Sequence, residues 1–120
     1  MNNSPIIYGS LFAMLSVILG AFGAHGLKEH LNEYSKLIYE KAVLYQMFHS
    51  IGILFIGLLG QNSGTNFGIS LWCFIFGIVL FSGSLYLLAL TDLKWIGMIT
   101  PIGGMLFIAG WGWIIIKLVY

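Results

Sequence analysis

AVLYQMFHSIGILFIGLLGQNSGTNFGISLWCFIFGIVLFSGSLYLLALT, residues 42–91, contains no Asp, Glu, Lys or Arg. A helix crosses the hydrocarbon of a bilayer in about 20 apolar residues, so an uncharged run of this length holds two crossings. GQNSGTN (60–66) divides it, because Gly, Asn and Ser favour turns over helix. The flanking pieces read as span two, about 42–60, and span three, about 67–90.

Two more crossings lie outside this run. Ser4-Pro5 reads as an N-cap followed by a proline at the first helical position, where its missing N–H costs nothing. Span one then covers about 5–24. Downstream, TDLKW (91–95) is a turn that keeps Asp92 and Lys94 in water and sets Trp95 at the headgroups. Span four covers about 96–117. Between spans one and two, Leu27, Leu31, Tyr34, Ile38 and Ala42 recur at helical spacing, while Lys28, Glu29, Asn32, Glu33, Lys36 and Glu40 fall on other faces. That pattern predicts an amphipathic interfacial helix over about 27–41, feeding span two.

Backbone amides in hydrocarbon must bond within their own segment, and the period-2 alternation of a membrane barrel is absent. The expected fold is therefore all-α: a four-transmembrane-helix bundle with an interfacial helix between spans one and two, in a single integral membrane domain over 1–120. Composition agrees, with 59% hydrophobic and 8% charged residues against about 25% charged in soluble domains. A net charge of +1 and five scattered lysines exclude a nucleic-acid binder. Cys73 stands alone, so no intrachain disulfide forms. No Lys or Arg precedes Lys28, so residues 1–24 read as a retained span rather than a secretory signal. Lys28, Lys36, Lys41 and Lys94 fall in the first and third connections and only Lys117 on the other side, which predicts both termini away from the cytoplasm.

His49 lies eight residues beyond Lys41, about 12 Å along a helix, which sets a titratable ring below the headgroups. Gln46 and Tyr45 share its face at i−3 and i−4. A neutral imidazole bonded to Ser82, Ser84 or Tyr86 would hold the bundle together; proton or ligand handling, and a metal or haem, are the other readings. The spacing of His25, His30 and His49 matches no helical metal-ligand pair, so neither metal nor cofactor is expected. Ser82-Gly83-Ser84 and Tyr86 in span three, with the kink signal Thr100-Pro101 in span four, complete a polar focus of Gln46, His49, Ser82, Ser84, Tyr86 and Thr100. Small residues on the spans, among them Ser16, Gly20, Gly77, Gly103 and Gly110, read as close-packing positions. In GAFGAHGLK (20–28), Gly23, Ala24, His25 and Gly26 mark a tight approach of span one to a neighbour and a sharp reversal.

That string, with YQMFHSIGIL (45–54), FSGSLYLLAL (81–90) and TPIGGMLFIAGW (100–111), resembles the domain-of-unknown-function family 423, also grouped among the uncharacterised protein families, whose animal relatives are called transmembrane protein 256. The resemblance covers nearly the whole chain, one string per span. It implies a small bacterial multi-pass protein of the cell membrane and brings no catalytic residues. Asp92, where the family more often carries glycine, and Ser50-Ile51, where it favours alanine and leucine, are mild departures.

The expected role is non-enzymatic interaction with, or support of, the lipid bilayer's other components, with further copies of the chain or other membrane proteins as partners. The alternative is a small oligomeric transporter or channel for protons or a small solute that uses the His49 region. A lipid- or quinone-modifying enzyme ranks third, because paired intramembrane carboxylates, a nucleophile with its base and a metal cluster are all missing from the sequence.

Overall fold

The computed structural model describes residues 3–27 and 29–120. Lys28, counted in the charge bias above, lies outside them. Among the described residues the regular structure is all helical, and four helical stretches are long and apolar enough to cross a membrane: Ser4–His25, Glu33–Ser63, Gly68–Thr91 and Lys94–Val119.

Helix α1 (Ser4–His25) carries Pro5 in its first turn, where no intrahelical N–H is needed. It ends through the Gly26 amide, which donates to the Phe22 carbonyl at 2.7 Å. The amphipathic stretch becomes helical at Glu33 and runs without a break into span two, as the single 31-residue helix α2 (Glu33–Ser63). Asn32 sets that start: its side-chain oxygen accepts the Ser35 amide at 2.7 Å, satisfying one of the free donors of the first turn. Helix α2 stops at Gly64, which adopts the left-handed conformation at φ 71°.

Span three is α3 (Gly68–Gly77), a π-helical turn (Ile78–Ser82) and α4 (Gly83–Thr91) in one continuous rod. It is capped by Asp92 at φ 62°, a left-handed position normally given to glycine or asparagine. Span four begins as a 3-10 turn over Lys94–Met98 and becomes α5 (Thr100–Val119), with Pro101 in its first turn.

The helices alternate in direction, which brings both chain ends to one end of the bundle and Lys36, Lys41 and Lys94 to the other. Helix α1 lies against α2 and is the least enclosed of the four spans. Span three packs between α2 and α5. Close approach is achieved through glycine, as packing in lipid demands. A Cβ at Gly110 would come within 2.5 Å of the Phe74 ring, and one at Gly77 within 2.5 Å of Phe107. At Gly103 it would run into the backbone of Phe81, so α5 touches the main chain of the π turn itself. Ile53, Ile56, Phe67, Leu71, Phe74, Ile78, Phe107 and Ile114 fill the core between these contacts.

Candidate functional site

The buried face of α2 carries Tyr39, Ala42, Gln46, His49, Ser50 and Ile53 at helical spacing. Hydrogen bonds join this face to four other elements. Tyr39 donates its hydroxyl to the Leu19 carbonyl of α1 at 2.5 Å. Gln46 spans two interfaces: its Nε2 donates to the Phe12 carbonyl of α1 at 2.9 Å, and its Oε1 accepts the Tyr86 hydroxyl of α4 at 2.6 Å. The Ser82 hydroxyl in the π turn donates to the Ala42 carbonyl at 2.7 Å. Most of these acceptors are backbone carbonyls whose second lone pair is available inside a helix.

The six residues of the expected polar focus do not form one pocket. Gln46 pairs with Tyr86, and the Ser84 and Thr100 hydroxyls pair at 2.5 Å between α4 and α5. Ser82 stands alone on Ala42. His49 bonds to none of Ser82, Ser84 or Tyr86; its partner is Trp111 of α5, whose indole Nε1–H donates to His49 Nε2 at 3.0 Å. With Nε2 accepting, the ring proton sits on Nδ1 and is donated to the Tyr45 carbonyl at 2.9 Å. Both ring nitrogens of a buried, neutral imidazole are therefore engaged.

Aromatic rings enclose this histidine. Phe107 lies parallel to it, with centroids 3.5 Å apart and planes at 8°. Phe74 and Phe48 meet it edge-on at 5.4 and 5.2 Å. Outside the pair, α2 and α5 diverge to leave a lateral groove of about 680 Å³, lined by Tyr45, Phe48, Phe81, Gly104, Ile108 and Trp111 among others, with His49 at its floor. Its size suits a small-molecule site or a side-chain anchor of a neighbouring helix. Sequence reasoning missed Trp111 and Phe107. The available signal was Trp111 itself, an indole well inside a span rather than at the interface, which requires an acceptor there.

The signature turn has its own geometry. A Cβ at Gly23 would overlap the Tyr39 ring, so the close approach of α1 to α2 does depend on it. Gly26 keeps right-handed angles (φ −80°, ψ −36°) and packs on Phe22, so the reversal uses no left-handed residue there. Ala24 and His25 are exposed in the last turn of α1. Among the described residues no three His, Cys, Asp or Glu side chains gather to hold a metal ion.

Four antiparallel apolar helices, cross-linked by buried hydroxyl, amide and imidazole groups, define a multi-pass α-helical membrane protein. Over residues 19–104 the chain matches the model of the family described as protein of unknown function (DUF423), and it belongs to that family. It is 54% identical over 106 residues to a UPF0382 membrane protein of Staphylococcus epidermidis, covering 88% of this chain and 87% of the relative. A UPF0382 membrane protein of Staphylococcus haemolyticus is 50% identical over 112 residues, 93% of this chain and 92% of its own. One from Staphylococcus aureus is 48% identical over 111 residues, 92% and 91% of the two chains. No solved structure matches significantly.

Proposed function

We propose that this is a non-enzymatic protein of the cell membrane that engages or supports another membrane component through the groove between α2 and α5, with both termini on the non-cytoplasmic side. One observation carries the reading: the polar atoms of Gln46, Tyr86, His49 and Trp111 are spent on helix-to-helix bonds, while an aromatic groove stays open beside them. Such a chain has a cross-bonded interior and a shaped outer face. Enzymatic chemistry would need a nucleophile beside its base or a carboxylate pair, and the membrane-embedded polar groups among the described residues are amides, hydroxyls, indoles, the Cys73 thiol and an imidazole bonded at both nitrogens.

The test is photo-crosslinking in cells from Ile108, which lines the groove and is 73% exposed, against Ile7 on α1, 61% exposed. A discrete adduct from Ile108 that disappears when Gly104→Trp fills the groove supports the proposal. Identical adducts from both positions overturn it.

The transporter reading makes a different demand, since His49 would have to exchange its proton with a water-filled path. Its bonds to Tyr45 and Trp111 and its stacking on Phe107 oppose that. Proton or solute flux in liposomes that vanishes with His49→Ala would select the transporter instead. For orientation, Lys36, Lys41 and Lys94 at one end of the bundle support a cytoplasmic placement of that end. A cysteine placed at Tyr120 should react with an impermeant maleimide on intact cells.

A further inference from the structure

The groove between α2 and α5 has a chemistry more specific than its shape. Rings from three elements stand around it: Tyr45 and Phe48 of α2, Phe81 of the π turn and Trp111 of α5, with His49 and Phe107 stacked at the floor. Phe81 belongs to the π turn, an element that closes one residue later than an α turn and recurs at functional sites. Its ring lies 4.6 Å from that of Tyr45 and 5.4 Å from that of Phe107, centroid to centroid. Tyr45 and Phe48 follow Lys41 by four and seven residues, about 6 and 10 Å along the helix, which sets the groove below the headgroups. Among the described residues no charged side chain lines it. Of its polar side chains, Trp111 and His49 are bonded to each other, and His49 also to the Tyr45 carbonyl. That leaves the Tyr45 hydroxyl, which bonds to no other described residue. Tyr45 stands twelve residues past Glu33, about 18 Å of rise, beyond the side chains of the first connection.

We infer that the groove binds the ring of a membrane-soluble quinone. A ring carbonyl accepts from the Tyr45 hydroxyl, the ring is held among Phe48, Phe81 and Trp111, and the isoprenoid tail leaves past the exposed rim into the bilayer. This names the component engaged by the groove and rests on the proposed role of that face. The chemistry of the lining carries the choice. An uncharged wall with one available donor matches an uncharged ligand that offers acceptors, and aromatic walls favour a planar ring. A volume of about 680 Å³ lies within the range of small-molecule sites. A phospholipid headgroup would bring its charge to an apolar wall below headgroup depth, at a desolvation cost that nothing there offsets. An acyl chain has no acceptor for Tyr45. A partner helix would meet the large exposed side chains of Leu44, Phe48, Met105 and Ile108 first, whereas helices in lipid dock through small residues.

Tryptophan fluorescence tests it, because a quinone quenches an indole that it touches. In the full chain with Trp72, Trp95 and Trp113 replaced by Phe, Trp111 is the remaining reporter. Titration in detergent micelles with a benzoquinone and a naphthoquinone, each carrying two isoprene units, should give saturable quenching with at least one of them. Tyr45→Phe should raise the half-saturating concentration roughly fivefold, the loss of one neutral hydrogen bond. Gly104→Leu should abolish saturation: it fills the groove from a position where an added Cβ meets Phe81 at an ordinary 3.7 Å. Geraniol, a two-isoprene tail without a ring, should not displace the quinone. Quenching that rises linearly in the Trp111 reporter, an unchanged half-saturation in Tyr45→Phe, or displacement by geraniol at equal concentration would each overturn the assignment. Circular dichroism confirms the fold of each variant, and native mass spectrometry of the parent and of Tyr45→Phe with the same two quinones reads their retention without the Trp replacements. An Ile108 crosslink to a protein that Gly104→Trp removes, without quinone binding, would overturn the quinone and leave the role of the groove standing; the absence of both would overturn both.

Discussion

The Trp111 indole donates to His49 Nε2 across 62 residues of sequence, and this bond fixes the neutral tautomer whose other nitrogen is bound to Tyr45. Each partner is the other's reason for lying inside the membrane. Trp111→Phe keeps an aromatic ring but leaves Nε2 as an unpaired acceptor, at a cost of about 1–2 kcal/mol. Replacing both partners, with His49→Phe added, removes the orphaned group and should recover most of that loss. Unfolding in mixed micelles by detergent titration measures both; a double variant less stable than Trp111→Phe would contradict the pairing.

Gln46 joins α1 and α4 at once, so Gln46→Leu breaks two interhelical bonds and leaves the Tyr86 hydroxyl without its acceptor. Polar bonds between membrane helices are worth about 0.6 kcal/mol on average and up to about 1.7. Combining Gln46→Leu with Tyr86→Phe should therefore cost less than the sum of the single changes. A double-variant cycle on the same unfolding assay reads the coupling.

Two glycines of α5 should respond in opposite ways. Gly103→Ala drives a methyl into the Phe81 backbone, which cannot rotate away, and should destabilise by roughly 1–3 kcal/mol. At Gly112 nothing lies within 4 Å of an added Cβ, so Gly112→Ala should be neutral or slightly stabilising. Thermal midpoints in one detergent compare the pair directly.

Asp92 occupies a left-handed position at the end of α4, outside the hydrocarbon. Asp92→Gly should raise stability by up to about 1 kcal/mol, and Asp92→Val should lower it, because a β-branched side chain tolerates positive φ poorly. Equal midpoints for the Gly and Val variants would contradict the cap geometry.

The crossings were legible because lipid leaves the backbone few options: charge-free length and turn residues such as those around Gly64 are sufficient signals. The pairing of side chains between crossings was not. By residue type the neutral partners for His49 are hydroxyls in span three, yet depth and rotation of α5 bring Trp111 there instead. The π turn at Ile78–Ser82 was equally hidden, since every cap residue around it has ordinary right-handed angles and no proline marks it. The role of Gly23 was readable, for a bulky neighbour one helix away is what a small residue in a span implies; that the neighbour is Tyr39 required coordinates. The groove depends on how far two helices splay, which no local string encodes.

Helix α1 leans on α2, and the strongest links it makes, through Tyr39 and Gln46, all go to that helix. The bonds of Tyr39 and Gln46 to α1 thus need nothing from the second half of the chain. Truncation after Ser63 should therefore leave an inserted, paired hairpin, whereas deletion of α1 removes the acceptors of the Tyr39 hydroxyl and the Gln46 amide.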